Sequence, residues 1–154
     1  MYDVLKLIHL AAAIVWMGGM TFMLFALRPA ALLALEAQLR ARLMVQVWQR
    51  FFWLVLGAIA VLLATGGHML GRGMKAAAST GGSMPLGWLV MAVLGVVMVL
   101  AFAHIYFAGF AKFKRAVAAA EWPLAAKAAG QIHALTVLNF VLGWVAIVAV
   151  RLLY

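Results

Sequence analysis

Four apolar stretches, roughly residues 4–27, 48–70, 86–111 and 132–153, constrain this chain more than any other feature. Each reaches about the 20 residues a helix needs to cross the hydrocarbon of a bilayer. No water is present there to satisfy backbone N–H and C=O groups, so each stretch must close its hydrogen bonds within itself, as a helix. The composition agrees. Hydrophobic residues make up 69% of the chain and charged residues 10%, whereas soluble domains are about half apolar and about a quarter charged. The expectation is an all-α protein: an integral membrane four-helix bundle with short amphipathic connector helices, forming a single transmembrane domain over 1–154.

The segments between the spans carry most of the charge. "RPAALLALEAQLRARLMVQVWQR" (28–50) mixes Leu and Arg at helical spacing and predicts an interfacial amphipathic helix. "GRGMKAAASTGGSMPLG" (71–87) predicts an exposed loop. "KFKRAVAAAEWPLAAKAAGQ" (112–131) predicts a basic, Ala-rich connector, with Pro123 placed to start the last helix. The N-terminal "MYDVLK" lacks the basic n-region of a signal peptide, so the first span is expected to be a retained helix. Let side A be the membrane face of the N-terminus. Lys6, Arg72, Lys75 and Arg151 then fall on side A, and the other eight basic residues on side B. The basic excess predicts a cytoplasmic side B and periplasmic termini, in the inner membrane of a bacterium. A net charge of +9 placed between apolar runs points to anionic lipid headgroups and not to nucleic acid.

Each span carries one histidine: His9, His68, His104 and His133. His9 and His68 lie toward side A, His104 and His133 toward side B, and the two pairs are about 20 Å apart along the membrane normal. Two imidazoles from two helices can clamp a haem iron, and bundle cores are where such cofactors sit. Two bis-His haems b would form an electron relay across the bilayer, with a redox partner or a quinol at one end. Small residues near His68 (Ala64, Thr65, Gly66 and Gly67) would make room for the macrocycle. Lys6, Arg72 and Arg151 on side A, and Arg50, Lys112, Lys114 and Arg115 on side B, could meet propionates. Trp16 and Trp144 could line the pockets.

A second metal chemistry competes with the first. Met17, Met20 and Met23 follow M-x2-M-x2-M, and thioether sulfur suits Cu(I). Met is also ordinary filler of apolar gaps. The only acidic residues are Asp3, Glu36 and Glu121, all outside the spans, which argues against a hard-metal site or a buried carboxylate relay. There is no cysteine. Asn139, in the middle of the fourth span, is expected to bond to a neighbouring helix.

The stretch "LKLIHLAAAIVWMGGMTFMLFALRPA" resembles the first helix of the CopD superfamily of bacterial membrane proteins, which includes the copper-resistance D proteins. It is also similar to the start of HemJ-type protoporphyrinogen oxidases, through Lys6-x2-His9, Trp16-Met17 and Gly19. The resemblance implies b-type haem in some relatives, with membrane oxidoreductase activity, and Cu(I) uptake in others, with His9 matching the helix-1 histidine. This chain lacks the Lys that HemJ-like chains carry ahead of the third-helix His, since none precedes His104 in "GWLVMAVLGVVMVLAFAH".

Overall fold

The computed structural model describes residues 2–153. It contains four long helices, α1 (Tyr2–Ala34), α2 (Ala37–Thr80), α3 (Leu86–Ala118) and α4 (Trp122–Leu152), all long and apolar enough to cross a membrane. Among the described residues there is no strand. The chain is an all-α, four-helix membrane bundle.

The connectors are shorter than expected. In 28–50 there is no separate interfacial helix: α1 runs on through Arg28–Ala34, the chain breaks at Leu35 and Glu36, and α2 starts at Ala37. Arg40 closes that break by donating from Nη1 to the Leu35 carbonyl at 3.1 Å. Most of 71–87 is also helical, because Ala76, Ala77 and Ala78 hold the helix beyond the bilayer. The stop comes at Gly81, which takes the left-handed conformation (φ 67°) while Gly82 N–H bonds back to the Ala77 carbonyl. The 112–131 connector is helical on both sides of a turn at Ala119–Glu121, and Pro123 sits in the first turn of α4 as its missing N–H allows. Inside α1 and α3, single wide π turns cover Met23–Leu27 and Ile105–Phe110.

Charged residues flank the apolar run of α1. Lys6 and Arg28 on α1 are 22 positions apart. That spacing is about 33 Å of helix, close to the thickness of the hydrocarbon. At 44 residues, α2 therefore projects beyond the membrane on both faces.

The helices pair as two antiparallel hairpins, α1 with α2 and α3 with α4. Lipid is as apolar as the helices, so close approach at small residues takes the place of a hydrophobic drive. Gly19 accepts the Phe51 ring, and Gly109 the Ile132 side chain. Gly87 sits against the backbone of Ala149, Val150 and Leu153, and donates its N–H to the Leu153 carbonyl at 2.8 Å. The hairpins meet across an aromatic waist. Trp16 and Phe52 each approach Phe102 edge-on, with centroids at 6.2 and 5.6 Å, and Phe52 meets Phe110 at 5.1 Å. Met20 is buried among the same core residues. Above and below the waist the hairpins leave a cavity at each end.

A Cβ on Gly87 would overlap main-chain atoms that cannot swing aside. Gly87→Val should cost about 1–3 kcal/mol, read as a lower melting temperature in detergent. Gly57→Ala, where the added carbon meets nothing within 4 Å, should leave it unchanged or raise it.

Candidate functional site

The larger cavity, about 470 Å³, opens toward side A, with His9, Trp16, Met17, Met69, Met91, Met98 and Gly143 in its lining. Its walls are otherwise aliphatic or aromatic, apart from Tyr2 and Lys6 toward the membrane face. Lys6 Nζ and the Arg72 guanidinium both lie over the Tyr2 ring, 4.4 and 5.5 Å from its centroid.

His9 is half-buried, and its Nδ1 lies 2.8 Å from Thr65 Oγ1. Thr65 Oγ1 is in turn 2.6 Å from the Val61 carbonyl. A carbonyl only accepts, so the hydroxyl hydrogen goes to Val61 and the Thr65 lone pair receives a hydrogen from His9 Nδ1. This network assigns the tautomer: Nδ1 carries the proton and Nε2 the free lone pair, as in an imidazole ready to ligate a metal. Gly66 makes the approach possible, because a Cβ there would come within 3.1 Å of His9 Cε1.

The floor of this cavity is built from sulfur. A Cβ on Gly143 would run into Met17 Sδ and lie 3.2 Å from Met98 Cε, so two thioether side chains, from α1 and α3, converge on one glycine of α4. One turn before Gly143, buried Asn139 donates from Nδ2 to the Met98 carbonyl at 3.1 Å, the interhelical bond expected of it. Its Oδ1 is buried without a partner among the described residues.

The smaller cavity, about 240 Å³, lies toward side B. Met23, Met44, Trp48, Phe52, Ile132, His133 and Thr136 line its inner part, and Arg28, Arg40 and Trp122 its outer part. The methionine trio of α1 is thus shared out. Met17 faces the first cavity, Met20 is buried in the waist at 2% exposure, and Met23 faces the second.

Of the four histidines, His9 and His133 each line a different cavity, while His68 and His104 are exposed and line neither. The pairs His9 with His68 and His104 with His133 are therefore not brought together around a shared space. Thr65 and Gly66, expected to serve His68, serve His9 instead. Trp16 lines a cavity and is 5% exposed, whereas Trp144 is 51% exposed on the outer surface. Arg72, Arg115 and Arg151 are exposed, Lys112 is half-buried, and only Lys6 of the expected cationic set lines a cavity. Sequence reasoning did not single out Met91, Met98, Gly143 or the service of Thr65 to His9. Met91 and Met98 are seven residues apart, two helical turns on one face of α3, and that spacing was the available signal. Among the described residues no three His, Asp or Glu side chains gather as a metal cluster; histidine and methionine are the donors on offer.

A family model, copper resistance protein D (CopD), matches residues 45–153. The chain belongs to the copper resistance protein D family. The match covers α3, α4 and all but the start of α2, and begins after the α1 stretch in which the motif resemblance lay, so it assigns no role to His9. No curated protein and no solved structure matches the chain.

Thr65→Val keeps the shape and removes the acceptor. It should leave His9 Nδ1–H unsatisfied at about 1–3 kcal/mol. Nitrogen-15 NMR of labelled imidazole should show a single Nδ1–H tautomer for His9 in the parent and a mixed or inverted population in the variant.

Proposed function

We propose that this protein takes up Cu(I), receiving it in the larger cavity at His9, moving it about 12 Å deeper to Met17 and Met98, and passing it through the waist by way of Met20 to Met23. The observation that carries this proposal is the distribution of the α1 trio over cavity, waist and cavity. A three-residue step advances about 4.5 Å and turns about 60° short of a full circle, so successive sulfurs spiral down the helix. That drift, useless for a single stripe, suits a path leading from one cavity to the other. The donor set supports a soft monovalent ion: neutral imidazole and thioethers bind Cu(I) without carboxylates, and no acidic residue lines either cavity. The imidazole with its proton held by Thr65 would offer Nε2 as the first nitrogen ligand. Family membership agrees with copper as the cargo.

The greater number of basic residues on side B supports periplasmic termini in a bacterial inner membrane. Copper would then enter from the periplasmic side, where the larger cavity opens. A haem b held by two histidines does not fit these cavities, because each is lined by a single histidine. No electron-transfer step or quinol oxidation is therefore assigned to the protein.

The test is anaerobic Cu(I) competition against a chromophoric chelator, using the purified full chain in nanodiscs. His9→Ala, Met17→Leu and Met98→Leu should each weaken binding at least tenfold, about 1.4 kcal/mol, while His68→Ala leaves it unchanged. Met20→Leu should retain binding and slow Cu(I) entry into proteoliposomes. Unchanged affinity in a His9→Ala, Met98→Leu double variant would sink the proposal. So would a reduced b-type haem spectrum, one per chain, that disappears with His9.

A further inference from the structure

The side-B cavity carries a chemistry that a copper path does not explain. Two guanidinium groups, Arg28 from α1 and Arg40 from α2, line it beside Trp122, together with the apolar side chains of Met23, Leu24, Phe51 and Ile132. Arg28 is the residue that marks the side-B boundary of α1, so the cavity straddles the plane where headgroups meet hydrocarbon. No carboxylate lines it, and among the described residues the one ion pair is Lys6 with Asp3, at the other end of the molecule. Arg40 gives one N–H to the Leu35 carbonyl and keeps four of its five donors. Two unneutralised planar cations above an apolar slot match a phosphate joined to an acyl chain, because guanidinium binds phosphate oxygens bidentately.

We infer that this cavity is a binding site for an anionic phospholipid of the surrounding bilayer, with Arg28 and Arg40 gripping the phosphate and the slot between the hairpins taking part of an acyl chain. The charge complementarity is specific to this face. The side-A cavity has one cation in its lining, Lys6, which is engaged with Tyr2 and Asp3, and Arg72 beside it stacks over the same Tyr2 ring. Nothing in this assignment depends on copper, and its test contains none.

The experiment is native mass spectrometry of the purified full chain in detergent, titrated with phosphatidylglycerol or phosphatidylcholine of matched acyl length. The parent should retain phosphatidylglycerol at least tenfold better than phosphatidylcholine. An R28Q, R40Q double variant should lose that preference, whereas R72Q, R151Q, with the same change in net charge, should keep it. Gly130→Phe provides a second route that leaves both arginines in place: Gly130 lines the cavity and a Cβ there meets nothing within 4 Å, so the ring should fill the slot and reduce lipid retention. Size-exclusion profile and helicity report folding for every variant. Equal losses in the side-A and side-B double variants would reduce the effect to bulk charge and overturn the assignment. Displacement of phosphatidylglycerol by millimolar inorganic phosphate, with Gly130→Phe unaffected, would also overturn it by making free phosphate the ligand.

Discussion

The narrow waist where Trp16, Met20, Phe52 and Phe102 interlock is the contact on which the rest of this bundle depends. Inside a bilayer the helices satisfy their own backbones and gain little by hiding apolar surface from lipid, so they stay together only where shapes fit. Within each hairpin the fit comes from glycine against a partner side chain or backbone. Between hairpins it comes from edge-on aromatic contacts that run from Trp16 and Phe102 through Phe52 and Phe110 to Trp48 and Phe113. Space is left toward both ends of the molecule, one cavity lined by His9 and the other by His133.

Polar groups in this setting are few, and each has a defined relation to the cavities. Thr65 turns one nitrogen of His9 into a committed donor and so leaves the other as a committed acceptor. Asn139 ties α4 to the α3 backbone at Met98 with its amide nitrogen, but its buried oxygen is unmatched. An orphan acceptor of that kind costs about 1–3 kcal/mol, and it stands beside the methionine whose side chain reaches the cavity floor. In the bundle's interior, Met20 and this amide are the features that set the waist apart from a plain hydrocarbon plug.

Hydropathy was enough to place four spans, because the cost of an unsatisfied backbone in lipid leaves no other structure. It also placed one histidine on each helix at its depth, since depth along a helix is simply counted residues. Rotation about each axis was not legible in the same way. A helix that is apolar all round carries no polarity signal for its inward face, so nothing in hydropathy turned His9 and His133 inward and His68 and His104 outward. The turning is done by small residues: Gly66 admits the His9 ring, and Gly143 admits Met17 and Met98. The connectors were misjudged for a related reason. Ala- and Leu-rich sequence stays helical after it leaves the bilayer, so 28–50 and 71–87 became overhangs and tight turns where an amphipathic helix and a loop were expected.

The length of α2 has a mechanical consequence. It crosses the waist at Phe52 as one unbroken rod, with Arg40 twelve positions to one side and Thr65 thirteen to the other, lever arms of about 18 and 20 Å. A rigid rod pivoting at such a fulcrum moves its two ends in opposite senses. Any tilt that presses Arg40 into the side-B cavity must draw Thr65, and the ring it holds, away from the side-A one. The two chambers of this bundle are therefore geometrically antagonistic: one narrows as the other widens.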